Sequence, residues 1–247
     1  MIDDMAGREE ATSGTPVQGV PPEGSDEELA ASAAAVQSLV DGLRSDDPQL
    51  RLAGVAHAGA IALHVGPERT RRELVPLLAD FVDDDDKVML ALAASLETLA
   101  LRGVGGVAHS ACLLGLLEAL TTAEDRAVRA RTAQTLRALL AAPGLPLAVY
   151  TEVAALADRA ARSEWFTARA SAAALLPAVH EATRSVTLSA SGAASGDASS
   201  SSGSASSSST SSGDEVASQA VEAKMSAVRT LFYGLCADPM PTVRRAA

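Results

Sequence analysis

From about residue 28 to residue 184, apolar side chains recur every three or four positions with polar residues between them, the spacing of one face of an α-helix. The row Leu74, Leu77, Leu78 and Phe81 is typical: these four residues share one face and are expected to bury it against a neighbouring helix. Outside this span the pattern fails twice. Residues 1–28 carry isolated apolar residues among Gly, Pro, Asp and Glu, too little apolar surface to offset the entropy of ordering, and disorder is expected there. Residues 189–213 contain 14 serines in 25 positions, which reads as a flexible low-complexity linker. Helical spacing resumes near Val221. The predicted organisation is an acidic tail over 1–28, helical repeats over 29–184, a Ser-rich disordered insertion over 185–219, and further helix over 220–247.

The helical part repeats. Each unit has an apolar helix, a short acidic turn, and a second helix opening on a Val-Arg-like pair with small residues. The turns read RSDDPQLRLAG, VDDDDKVMLAL, TAEDRAVRART, RSEWFTARASA and ADPMPTVRRAA. Aligning the second helices places Arg51, Met89, Arg129, Arg169 and Arg244 in one column, at steps of 38, 40, 40 and 75. The first helices align independently on Leu43, Phe81, Leu120, Ala160 and Leu235, at steps of 38, 39, 40 and 75. The long last step is one period plus the length of the serine-rich stretch. A two-helix period near 40 predicts an all-α solenoid of HEAT or armadillo type, HEAT being favoured because no third helix per unit is evident. About four and a half repeats are expected. The last second helix has only residues 242–247 and VRRAA opens like a buried helix, so the array is expected to be truncated.

Composition sharpens this reading. Of 247 residues 52 are alanine and only 2% are aromatic, which suits thinly packed helices and argues against a β-sandwich. Net charge is −11, of which the first thirty residues supply −7, and no dense basic stripe is available for phosphates, so a nucleic-acid partner is not expected. The longest uncharged stretch that is also apolar, residues 103–117, is too short and glycine-rich for a membrane span. The N-terminus lacks the apolar core of a secretory signal. Cys112 and Cys236 form no disulfide framework, and a reducing setting is expected, in the cytoplasm with the nucleus also open.

Catalytic chemistry finds no footing. Asp83 to Asp86 lack the calcium-loop spacing and read as helix-capping acids. His109 and Cys112 stand three apart with no second pair at zinc spacing, so a buried small cysteine beside a polar histidine is expected. His57 and His64 have no neighbouring cysteine, and His180-Glu181 is a single pair where an iron centre on such a fold would need several. Gly103, Gly105 and Gly106 follow no strand and read as an inter-repeat loop. The serines lie where no base could be held near them. No metal, cofactor or enzymatic activity is expected. Trp165, the only tryptophan, stands in a turn beside Phe166. The pair is read either as an interface anchor or as a fold-back over the core between the third and fourth repeats. Arg244 and Arg245 with Asp238 are read either as an ion-pair ladder between repeats or as a dock for acidic groups.

Four segments carry a family resemblance: VGPERTRRELVPLL (Val65 to Leu78), DDDDKVMLALA, EWFTARASA and LFYGLCADPMPTVRRAA. In this order they resemble the N-terminal repeats of the scaffolding (65 kDa regulatory A-type) subunits of protein phosphatase 2A, over residues 39–247 apart from the serine insertion. The resemblance implies a HEAT array whose intra-repeat turns form a ridge for regulatory B-type subunits, with the catalytic subunit held by C-terminal repeats that this sequence lacks. The implied partner-binding residues are Asp46, Asp47 and Pro48; Asp84, Asp85 and Asp86; Glu124 and Asp125; Trp165 and Phe166; and Asp238, Pro241 and Arg244. It tips Trp165 towards binding and Phe166 towards packing. The serine insertion and the acidic tail depart from the family pattern. The expected function is a non-catalytic phosphatase 2A-like scaffold. The alternatives are a generic adaptor or importin-like transport solenoid, disfavoured by the lone turn tryptophan, and a HEAT-fold enzyme.

Overall fold

The computed structural model describes residues 26–193 and 211–247, and every regular element among them is a helix. The chain divides into two compact units, residues 1–35 and 36–247; of the first, only the opening of one helix is described.

The elements come in pairs. Helix α1 (Asp26–Leu43) is followed by α2 (Pro48–Ala56) and α3 (Ala58–Val65), one second helix interrupted at His57. The next first helix is assembled from pieces: α4 (Pro67–Arg69), a π-helical stretch Thr70–Leu74, α5 (Val75–Leu78) and a 3₁₀ turn Ala79–Phe81. Pro76 lies inside it and supplies no backbone N–H, so a continuous α-helical ladder is impossible there. Its partner α6 (Asp86–Thr98) runs on as a π-helical stretch, Leu99–Gly103. The third pair is a 3₁₀ segment Val107–Leu113 leading into α7 (Leu114–Leu120), then α8 (Arg126–Leu140). The fourth is α9 (Leu147–Ala161) with α10 (Phe166–Ala193), and the fifth α11 (Ser211–Cys236) with α12 (Pro241–Ala246).

Within the second unit the second helices pack in chain order, α2 on α6, α6 on α8, α8 on α10 and α10 on α12. Both sequence columns hold. Leu43, Phe81, Leu120, Ala160 and Leu235 are all buried at the ends of the first helices. Between the layers Leu92, Leu96, Leu136, Leu139, Leu156 and Leu175 are almost wholly buried, each contributing roughly 1.5–3 kcal/mol of transfer free energy. This is the stacking of a HEAT-type α-solenoid, in which each repeat buries its apolar face only against its neighbours. Alanine lets backbones approach. At Gly54 even a Cβ is excluded, because it would lie 2.8 Å from the Leu43 side chain and 2.9 Å from the Leu39 carbonyl. Buried hydroxyls tie the layers together: Thr135 Oγ1 donates to the Ala93 carbonyl at 2.9 Å and Ser171 Oγ to that of Thr121 at 2.7 Å.

Several expectations meet the structure directly. Gly105 and Gly106 take φ of 97° and 88°, a left-handed conformation that glycine tolerates, and form the loop between repeats two and three. Helix covers the edges of the stretch expected to be disordered: α10 continues to Ala193 and α11 begins at Ser211, while residues 194–210 lie outside the described residues. Once a helix is nucleated by packing, extending it adds one hydrogen bond per residue, so serine and alanine at its ends can follow. Similarly, α1 begins at Asp26, inside the segment expected to be a tail, and residues 1–25 lie outside the described residues. Cys112, expected to be buried, is exposed, because the 3₁₀ segment that carries it turns Ser110 and Leu113 inward instead. No described helix is long and apolar enough to cross a membrane.

Candidate functional site

The turns between first and second helices lie at one register. Four residues before the arginine column stands the residue that immediately precedes each second helix: Asp47, Asp85, Asp125, Trp165 and Met240. In the first three repeats this residue is an aspartate whose carboxylate accepts a free N–H of the first turn, Asp47 from Gln49 at 2.8 Å, Asp85 from Lys87 at 3.0 Å and Asp125 from Val128 at 2.9 Å. Each such cap is worth about 1 kcal/mol. In the fourth and fifth repeats the same position carries a large apolar side chain that caps nothing.

The arginine column closes the turns from the inside. Arg51 Nη1 donates to the carbonyls of Ser45 and Asp46, Arg129 Nη1 to Ala123 and Glu124, Arg169 Nη1 to Ser163 and Glu164, and Arg244 Nη1 to Asp238 and Pro239. In all four the acceptors lie six and five residues earlier, so one guanidinium edge satisfies the carbonyls that a tight turn leaves without partners. In two repeats the other edge reaches the next turn. Arg51 grips Asp84 through Nε at 2.8 Å and Nη2 at 2.9 Å, and Arg169 grips Asp238 through Nε at 2.7 Å and Nη2 at 3.2 Å. These bidentate pairs hold Asp84 and Asp238 below the usual carboxylate range, the arginine hydrogen bonds being the main cause, and raise both arginines. Met89 occupies the column in the second repeat, so its junction is held otherwise: Arg131 Nη2 lies 2.8 Å from Glu97 Oε2, an ion pair whose angles make no hydrogen bond.

The residues expected to bind partners therefore fall into two groups. Asp84, half-buried, and Asp238, 6% exposed, are turned inward as joints between repeats, and Arg244 is a closing residue of its own turn. Asp46, Pro48, Asp86, Glu124 and Pro241 stand on the surface, with the capping aspartates 47, 85 and 125 beside them. Trp165 is 72% exposed and does not fold back over the core. Phe166, expected to pack, is 38% exposed: as the first residue of α10 it lines an open cleft shared with α8 and α12 and is not enclosed in the core. Met240, also 38% exposed, is a further large apolar side chain at the same register in the fifth repeat; sequence reading passed over it, although its place in the capping register was the available signal. The edge thus changes character along the repeats, acidic over the first three turns and apolar over the next two. Among the described residues no group of three or more His, Cys, Asp or Glu side chains is arranged to hold a metal ion.

No protein-family profile matches the chain. Curated relatives do. It is 35% identical over 209 residues to the beta isoform of the human 65 kDa regulatory A-type subunit of serine/threonine-protein phosphatase 2A. It is 32% identical over 211 residues to the protein phosphatase 2A scaffold subunit of Dictyostelium discoideum, and 31% identical over 223 residues to the PP2A 65 kDa regulatory subunit of Drosophila melanogaster. These alignments take in 85 to 90% of this chain and 28 to 31% of each relative, so the chain spans under a third of the length of the relatives it matches.

Proposed function

With homology to the 65 kDa regulatory subunits of phosphatase 2A as the premise, we propose that this chain is a non-catalytic scaffold of a phosphatase 2A-like complex, its intra-repeat turns docking a regulatory subunit of B type. The observation that carries the reading is Trp165: a large aromatic side chain, 72% exposed, at a position where the three preceding repeats place a capping aspartate. Exposure of that much apolar area has no benefit to the isolated chain, whereas aromatics buried at the centre of an interface carry much of its binding energy. Phe166 and Met240 would flank it and the acids of the first three turns would form a polar rim. The role proposed is geometric. Repeats joined by Arg51–Asp84 and Arg169–Asp238 keep neighbouring turns at a fixed spacing, so a partner meets a preformed edge. A cytoplasmic or nuclear setting goes with the reading, both cysteines being free and exposed.

The test is capture of purified B-type regulatory subunits by the wild-type chain and by Trp165→Ala. A central anchor contributes about 2 kcal/mol or more, so the variant should bind roughly thirtyfold more weakly with unchanged helical circular dichroism. Equal binding by the two proteins removes Trp165 from the interface.

A further inference from the structure

The chain is acidic, yet four arginines converge on one cleft. It has a volume of about 310 Å³ and opens between α8, α10 and α12 on the face made by the second helices. Arg126, Arg129 and Arg137 come from α8 and Arg245 from α12, no Asp or Glu lines it, and Phe166 forms an apolar wall. None of the four arginines makes an ion pair with a described residue. Arg137 Nε reaches only the Ala133 carbonyl of its own helix.

Arg129 shows what this cleft is built to hold. It stands in the same column as Arg51 and Arg169 and closes its turn in the same way, through Nη1. In Arg51 and Arg169 the edge made by Nε and Nη2 takes a carboxylate from the following turn in a bidentate grip. The turn following Arg129 is Ser163-Glu164-Trp165, which sends no carboxylate to that edge. Arg129 therefore closes its turn as its two column mates do, while its Nε–Nη2 edge makes no ion pair with a described residue. Burial pushes its pKa below the ordinary arginine value, and nearby Arg126 adds to that, while only Asp125 opposes it. An incoming anion would relieve this desolvation cost.

We propose that this cleft binds an acidic segment of a protein partner, an extended peptide whose Asp or Glu side chain occupies the free edge of Arg129. Neighbouring acidic residues of the peptide reach Arg126, Arg137 and Arg245, and an apolar residue rests on Phe166. A carboxylate is preferred because the column mates of Arg129 grip one in two other repeats of this chain. The proposal does not depend on the phosphatase reading, since the ligand is defined by charge and can be tested without any phosphatase component.

The experiment is fluorescence anisotropy of the full chain with three labelled ten-residue peptides: one rich in Glu, its Gln counterpart, and a phosphoserine peptide of matched charge. The Glu peptide is expected to bind and to weaken as salt rises. Binding should fall at least about tenfold in Arg129→Gln and in the double variant Arg137→Gln/Arg245→Gln, whose side chains are exposed and whose loss leaves the fold intact. Arg102→Gln, on the exposed π-helical end of the second repeat, should bind as the wild type does. Equal binding of the Gln peptide, or an equal loss in Arg102→Gln, would overturn the proposal by showing contact without charge or charge without a site. Binding of the phosphoserine peptide alone would overturn the assignment of a carboxylate ligand.

Discussion

The joint between the fourth and fifth repeats is the place to test whether ion pairs set the spacing of the turns. Asp238 is 6% exposed and its carboxylate accepts three hydrogen bonds, from Arg169 Nε at 2.7 Å, Arg169 Nη2 at 3.2 Å and the Met240 backbone N–H at 2.8 Å. Asp238→Ala removes all three and leaves one edge of Arg169 unpaired. Breaking a fully buried pair costs about 3–5 kcal/mol. Arg169 keeps some solvent contact, with its side chain 17% exposed, and its Nη1 bonds to Ser163 and Glu164 survive, so the cost should be nearer 2–3 kcal/mol. In a stacked array stability is held by local and nearest-neighbour terms, so this loss should appear at one junction and not along the whole chain. Hydrogen exchange followed by mass spectrometry is the fitting assay: amides of residues 221–246 should exchange roughly 30- to 150-fold faster, and those of 86–98 should be unchanged. A double-mutant cycle with Arg169→Ala should give a coupling of about 1–2 kcal/mol. Coupling under about 0.5 kcal/mol, or faster exchange everywhere, would refute the idea that this pair is a local joint.

Other outcomes follow from the same geometry. Asp125→Ala removes the cap of α8 and should lower stability by about 1 kcal/mol in urea unfolding, while Asp125→Asn should recover most of it. Gly54→Ala forces a methyl into Leu43 and the Leu39 carbonyl, and overpacking of this kind should cost about 1–3 kcal/mol, seen as a lower thermal midpoint. Acid should loosen the joints. Asp84 and Asp238 have folded-state pKa values depressed by their arginines, so their contribution is present above the unfolded carboxylate range near pH 4 and is lost as pH falls through the folded values. The thermal midpoint should be steady from pH 8 to about pH 5 and drop below about pH 4, and Asp84→Asn/Asp238→Asn should flatten that drop.

The repeat itself was written in the sequence. Helix spacing, the two columns near a period of 40, and the acidic starts of the second helices need only local physics: side-chain period, capping and the apolar burial that each pair requires. Hence the column from Leu43 to Leu235, which is buried, and the capping role of the acids around Asp85 could be read before any coordinates, whereas Asp125 showed its cap only in the structure. Tertiary structure decided which charges face inward. Arg51 and Asp84 are 33 residues apart and Arg169 and Asp238 are 69 apart, and nothing in one repeat's sequence says whether its acid meets solvent or the previous repeat's arginine. The same holds for Arg129, which resembles its column mates in sequence but faces a turn with no acid in reach, and for Trp165, whose exposure depends on how α10 enters the stack. Local interactions choose helix and turn because they act over a few residues; partners across a junction are chosen only when the layers settle against one another.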